Sequence, residues 1–337
     1  MDSPLLAHPH DRLARHFLTR TELAADLIGN YLDPGLAERL DLARLNCLSP
    51  VTVDGELGER AGDLRFSTFF KGGGLKSKVF LLLEHQSRSE RHISFRIAEY
   101  VIKDFRERLN AKESPGQGGK NFPFPLAIIL HHGKTPWKGP LKMRDLVDGA
   151  RELAPFLLDL PIFLVDLASI PEGEIRGKPT LRALLAALQA AGKGRLAERF
   201  GRILGFLAGS GRDSRLRGDL RTLINYLAVV DRPRLAEADI RRELDKLIGP
   251  KEAEEMTTSL AREWLREGEA KGEAKGRAEG RAEGRAEALI LVLRARFGDP
   301  PAAVQNKLRK CADPGRLDRW AELAATCPSL GDFRKKL

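Results

Sequence analysis

Three short, nearly unbroken apolar runs, Val79 to Leu83, Phe124 to Leu130 and Ile162 to Leu167, restrict the fold of this chain more than any other feature. A strand that is apolar at successive residues is buried on both faces, so the sheet it joins needs a layer on each side. The segments between the runs supply those layers. From Leu13 to Leu32, apolar residues at Leu13, Phe17, Leu18, Leu23, Ala24, Leu27, Ile28 and Leu32 have helical spacing, and the stretch stops before Asp33-Pro34-Gly35. Three extended segments follow, Arg44 to Val53, Asp63 to Lys71 and Ser77 to Gln86, with Gly72-Gly73-Gly74 between the last two. Ile93, Ile97, Val101, Ile102 and Phe105 form one stripe of a helix over Ser89 to Leu109, and a further helix is expected around Leu141 to Leu153. The order α, β, β, β, α, β, α, β describes an α/β fold, a mixed sheet flanked by helices.

The remainder reads as helical. Thr180 to Leu247 forms a helical subdomain broken near Gly209-Ser210-Gly211 and Asp231-Arg232-Pro233. Beyond it Gly268, Gly272, Gly276, Gly280 and Gly284 recur every four residues among Glu, Lys, Arg and Ala. Each glycine costs a helix roughly 1 kcal/mol against alanine, so this repeat is either a linker or a helix that needs a partner. A self-associating helix, and so a homo-oligomer formed through the C-terminal helices, is the expectation. The domain boundaries expected are residues 1–175 for the sheet core, 176–262 for the helical subdomain, 263–288 for the repeat and 289–337 for a small basic helical tail.

Composition narrows the function. The chain has 57 Lys and Arg against 47 Asp and Glu, a net charge of +10. The excess is regional: Arg60 to Lys112 holds twelve basic and six acidic residues, and Leu289 to Leu337 ten and five. Such stretches suit the neutralisation of phosphates, so DNA is the partner expected, with Arg65, Lys76, Lys78 and Arg88 as candidate contacts. No apolar run approaches the ~18 residues that cross a bilayer, and the first residues carry no apolar leader, so no membrane partner and a cytoplasmic location are expected. The three cysteines, Cys47, Cys311 and Cys327, have no C-x-x-C spacing, which argues against a disulfide framework or a thiolate zinc site.

Chemistry collects around Asp63 and the run that ends Leu83-Glu84-His85-Gln86. Strand alternation puts Glu84 and Gln86 on one face and His85 on the other. If Gly73-Gly74 are the centre of a hairpin turn, facing residues sum to 147, which sets Asp63 opposite Glu84. Opposed Cβ atoms lie ~4.5 to 5.5 Å apart, close enough for one divalent cation, with Mg²⁺ the natural occupant, to bridge two carboxylates. That is the arrangement of metal-assisted phosphodiester hydrolysis. The competing reading pairs each carboxylate with an arginine such as Arg65 or Arg88. In either case Glu84 ends an apolar strand, where a lone charge is costly and a partner is required.

These residues, with Pro9-His10-Asp11, Arg96 and Tyr100, Leu130-His131-His132-Gly133, Trp137 and Val165-Asp166-Leu167, resemble the Rpn family of recombination-promoting nucleases, also described as YhgA-like putative transposases, within the PD-(D/E)XK nuclease superfamily. The resemblance covers roughly Leu6 to Leu247. It implies a PD-(D/E)XK restriction-endonuclease-like core, a Mg²⁺-dependent DNA endonuclease (other divalent cations also serving), duplex DNA as substrate, a 5′-phosphate product, and a role in recombination or against foreign DNA. By the same resemblance Asp63 and Glu84 are the motif acids, the His85 backbone carbonyl is a further metal ligand, and Gln86 stands where the family pattern usually has lysine. A glutamine is neutral and cannot act as a base, so the alternative is a catalytically inactive DNA-binding or oligomerisation protein of the same fold. A true transposase would need a third acid in a different sheet.

Accessory candidates carry competing structural roles. Asp11, beside His10, is expected to cap the first helix. Glu22 reads as a solvated helical acid. His131 and His132 point apart, which favours turn packing for both. Asp166 either faces the cleft or pairs with an arginine, and His85 is expected to pack on the far side from Glu84.

Overall fold

The computed structural model describes residues 9–48, 64–71, 78–110, 122–149, 158–209, 215–231, 236–311 and 313–337. Asp63, Lys76 and the turn glycines 72–74 lie outside the described residues. The chain forms two compact units, Met1–Thr257 and Thr258–Leu337.

In the first unit five strands make one sheet in the order β1 (Asn46–Leu48), β2 (Leu64–Phe69), β3 (Lys78–Gln86), β4 (Phe124–His131), β5 (Ile162–Asp166). β1 and β3 run antiparallel to β2, while β3, β4 and β5 are mutually parallel. The β2–β3 register runs from Leu64 opposite Leu83 to Phe69 opposite Lys78, so facing residues sum to 147, as the hairpin count requires. β3 and β4 are central and buried on both faces, which is why their sequences lack the polar alternation of a half-exposed strand.

Helix α4 (Ile93–Asn110) covers one face, packing Ile93, Ile97 and Val101 on Phe80, Leu82, Ala127 and Ile129. The other face, with Leu81, Leu83, Ile128 and Leu130, is equally buried, and α1 (Pro9–Leu18) reaches it. α2 (Thr21–Tyr31) and α3 (Pro34–Arg39) follow. The helix expected over Leu13 to Leu32 is therefore two. The break falls at Thr19-Arg20, where the Arg20 guanidinium turns to Asp219 through bonds of 2.8 and 2.9 Å.

The helix expected around Leu141 to Leu153 is corrected over residues 141–149; residues 150–153 lie outside the described residues. Among the described residues the segment makes only a 3-10 turn at Met143–Leu146. Arg144 is drawn to Asp159 through its backbone and side chain, and Gly149 adopts φ +72°, a left-handed conformation that ends helical propagation. The helical part comprises α5 (Pro179–Gly192), α6 (Leu196–Ala208), α7 (Leu216–Asp231) and α8 (Glu237–Ile248), its later breaks falling close to the expected ones.

The Gly repeat is helical throughout, inside α9 (Pro250–Phe297). In the second unit the end of this helix joins α10 (Ala302–Arg309), α11 (Pro314–Thr326) and α12 (Leu330–Lys336) around a core of its own, with Ala286, Leu293, Leu308, Leu317, Trp320 and Phe333 at its centre. Among the described residues no helix is long and apolar enough to cross a membrane.

Candidate functional site

Because β3, β4 and β5 are parallel, their carboxyl ends finish along one rim, where Gln86, His131 and Asp166 occupy matching register positions. Ligand sites of open sheets with parallel strands collect at this rim. Residues in register on neighbouring strands share a face, so Glu84, Gln86, His131 and Asp166 lie on the α4 side. His85 lies on the other.

Glu84 is 3% exposed at the end of an apolar strand. Its Oε1 accepts hydrogen bonds from Gln86 Nε2, at 2.6 Å, and from the Arg96 guanidinium, which also grips Glu90. The partner that burial demands is thus Arg96, rather than Arg65 or Arg88. Arg65 pairs with Glu107 at 3.8 Å, and Arg88 is exposed. The signal for Arg96 was present in the sequence, since it sits between Ile93 and Ile97 on the apolar stripe of α4, where an unpaired cation would not be tolerated. Among the described residues this cluster sets the Arg96 guanidinium against the carboxylates of Glu84 and Glu90. Its donors are hard oxygens, which suits a cation such as Mg²⁺. Asp63, the acid expected across from Glu84, lies outside the described residues, as does the side chain of Lys78.

Asp166 is engaged by its own turn. Its carboxylate accepts from Trp137 N at 3.0 Å, Ala168 N at 3.1 Å and Ser169 Oγ at 2.7 Å, and His131 Nε2 is 3.9 Å away. His131 Nε2 donates to the Thr135 carbonyl at 3.0 Å. Among the described residues Asp166 therefore holds the β4 and β5 ends in place, without the arginine partner expected for it. Two strand spacings, about 10 Å, separate its backbone from that of Gln86.

The remaining accessory residues gather on the opposite face. Asp11 lies inside the first turn of α1, and its carboxylate binds His85 Nδ1 at 3.1 Å, a link between elements where a helix cap was expected. The His85 ring stacks on His132 with centroids 4.3 Å apart and planes 11° apart. His10 completes the group, 4.8 Å from the His132 ring and hydrogen-bonded through Nδ1 to the Tyr226 hydroxyl at 2.8 Å. Burial, then the neighbouring His85, pulls His10 from 6.5 to about 4 against the opposing pull of Asp11. Burial and the three surrounding imidazoles pull His132 to about 2; the Leu188 carbonyl acts weakly the other way but lacks good hydrogen-bond geometry. Burial also raises the Tyr226 hydroxyl. Both histidines are neutral at neutral pH, which lets the rings pack without charge repulsion. His10, Asp11 and His132 are thus brought to His85 and not to Glu84. The pair of Tyr226 with His10 escaped sequence reasoning, because 216 residues separate them.

Two glycines fit this rim tightly. A Cβ at Gly192, the last residue of α5, would lie 1.9 Å from the His132 carbonyl oxygen, and one at Gly133 would lie 2.5 Å from the His131 ring.

Residues 8–215 match the family described as "Putative transposase, YhgA-like". Among individual proteins, the chain is 28% identical over 168 residues to recombination-promoting nuclease RpnA of Escherichia coli K12, covering 50% of this chain and 54% of that one. It is 27% identical over 176 residues to RpnC of the same strain, covering 52% and 55%. A shorter E. coli K12 protein named "Putative inactive recombination-promoting nuclease-like protein YjiP" is 34% identical over 94 residues, covering 28% of this chain and 89% of that one. The chain spans about half the length of the two longer relatives. No solved structure matches it.

Proposed function

The chain belongs to the YhgA-like putative transposase family, and from that premise we propose that it is a metal-dependent DNA endonuclease with a PD-(D/E)XK-type site at the carboxyl rim of its sheet. The observation that carries this reading is Glu84, a buried carboxylate at the end of a central strand with the Gln86 amide on the same face. The names of the longer relatives, recombination-promoting nucleases, support the same class of activity.

Glu84 and Asp63 would hold the cation, Mg²⁺ by the hardness of their oxygens, with the His85 carbonyl as a further ligand. When bound, such an ion supplies Lewis-acid stabilisation of charge on a phosphodiester and lowers the pKa of nearby water. The side chains do the positioning. Gln86 holds one oxygen of Glu84 and offers its amide to orient water, but takes no proton itself. Arg96 holds the carboxylate in its aim through a hydrogen bond, and Glu90 keeps Arg96 in place. The Asp11–His85 link and the His85–His132 stack fix the strand end from behind.

The test is nicking of supercoiled plasmid DNA in Mg²⁺ against EDTA. Asp63→Ala and Glu84→Ala should each abolish cleavage while leaving the circular dichroism spectrum unchanged; cleavage by both variants at the native level overturns the site. A second reading, an inactive DNA-binding or assembly protein, is favoured by the arginine already on Glu84 and by the glutamine in place of lysine. The absence of Mg²⁺-dependent nicking by the native chain would select it. The homo-oligomer expected from the C-terminal helices belongs to the proposal in either form.

A further inference from the structure

In the second unit, Lys307 on α10, Lys310 just after it and Arg316 at the start of α11 line a cleft of about 450 Å³, with Asn306 at its wall and Trp320 beneath. We propose that this cleft is a binding site for the phosphate backbone of duplex DNA, separate from the site at the sheet rim and independent of any cleavage there.

Three observations carry the inference. The unit has acids to pair with these cations but uses them elsewhere: Asp318 faces Arg285 at 3.1 Å, Asp299 faces Arg294 at 2.6 Å, Glu287 faces Arg309 at 2.7 Å and Asp332 faces Lys335 at 3.3 Å. Asp313 caps the backbone amides of Gly315 and Arg316. Among the described residues no carboxylate lies within ion-pair distance of Lys307, Lys310 or Arg316, so the cleft gathers three cations that are not ion-paired.

Next, helix electrostatics accounts for only part of the arrangement. Lys307 and Lys310 sit at the C-terminal end of α10, where cations are favoured. Arg316 sits in the first turn of α11, where the dipole disfavours a cation and no acid is present in that turn. Its guanidinium stacks 4.7 Å from the Trp320 ring centroid, which holds the charge beside the lysines instead of letting it swing into solvent.

Finally, concavity matters. Cations gathered in a recess with an apolar floor focus their field outward, and the ligand that meets such a field is a repeating anion whose charges several side chains contact at once. Lys307 and Lys310 come from the end of α10 and the residue that caps it, Arg316 comes from α11, and the Asn306 amide beside them serves phosphate oxygens as well.

The experiment measures binding of the full chain to a fluorescent duplex in EDTA, where no cleavage occurs, by anisotropy across a salt series. The cleft variant is Lys307→Ala/Lys310→Ala/Arg316→Ala. A charge-matched control, Arg309→Ala/Arg334→Ala/Lys335→Ala, removes three cations of the same unit from outside the cleft. The cleft variant should lose roughly 10- to 100-fold in affinity and reduce the salt slope by about 2 to 3, while the control loses a few-fold at most. The exposed pair Lys307→Gln/Lys310→Gln repeats the comparison without disturbing the Arg316–Trp320 stack. Equal losses in cleft and control variants, or a native chain that binds no duplex in EDTA, overturn the proposal. Loss of nicking by Glu84→Ala with binding intact bears on the rim site alone, so the two ideas fail separately.

Discussion

Replacing Gly272, Gly276 and Gly280 together by alanine tests what supports the middle of α9. All three are exposed, and a Cβ added at each meets no atom within 4 Å, so the change adds helix propensity and removes no contact. At about 1 kcal/mol for each exchange, the triple variant gains roughly 3 kcal/mol of local helix stability. Among the described residues, support in the native repeat is slight. The i,i+4 pairs Glu273–Arg277 and Lys275–Glu279, the second at 3.7 Å, join exposed side chains and together contribute about 1 kcal/mol at most. Packing resumes only at Ala282 and Ala286, which enter the core of the second unit. Amide hydrogen exchange over residues 268–284 reports local opening, and 3 kcal/mol corresponds to a slowing on the order of 100-fold. Unchanged or faster exchange refutes the reasoning. Faster exchange with a fall in sedimenting mass would instead place these glycines in a helix–helix contact with a second copy of the chain.

Two further outcomes are expected. Arg96→Met removes the guanidinium from a buried carboxylate and should cost about 3 kcal/mol in urea unfolding, with Glu84→Gln/Arg96→Met recovering most of the loss; a double variant no more stable than the single one counts against the pairing. Asp219 titrates in the acid range. Burial raises its pKa, but hydrogen bonds from His16 and Arg20 and the charge of Arg20 outweigh that, so its folded value lies below the ordinary 3.8. The unfolded chain takes up the proton first, so this stabilisation is complete above 3.8 and is lost as pH falls through the folded value. Asp219→Asn should flatten that acid limb in urea midpoints measured from about pH 2.5 to 6, and an unaltered slope would contradict the assignment.

What the sequence discloses follows the range of the forces involved. Strands β3 and β4 were readable because burial on two faces writes itself into consecutive residues, whereas β5 is an edge strand in which Val165 alone is fully buried, so its apolar run announced a strand but not its exposure. The β2–β3 register followed from counting out from a glycine pair, and the opposed directions of His131 and His132 from alternation alone. Long-range pairing was not readable in the same way. The break between α1 and α2 depends on Asp219, 199 residues beyond Arg20. Asp11 looked like a helix cap until folding brought it to His85. Arg96 was visible as a polar residue on an apolar stripe, but choosing Glu84 as its partner required knowing which face of the sheet α4 covers. Over the described residues 141–149 the expected helix gave way to a 3-10 turn, a local pattern overridden by Asp159 and by the backbone of Gly149.

Gly192 gives this architecture an unusual dependency. With only a hydrogen at that Cα, the end of α5 settles against the His132 carbonyl, and the imidazole stack behind the rim inherits its position from that seating. Even the smallest side chain would act as a wedge, lifting the helix and slackening the strand end that carries Glu84 and Gln86. A residue with no functional group, on an element that supplies no candidate ligand, thereby bears on the seating of the strand ends beside the site.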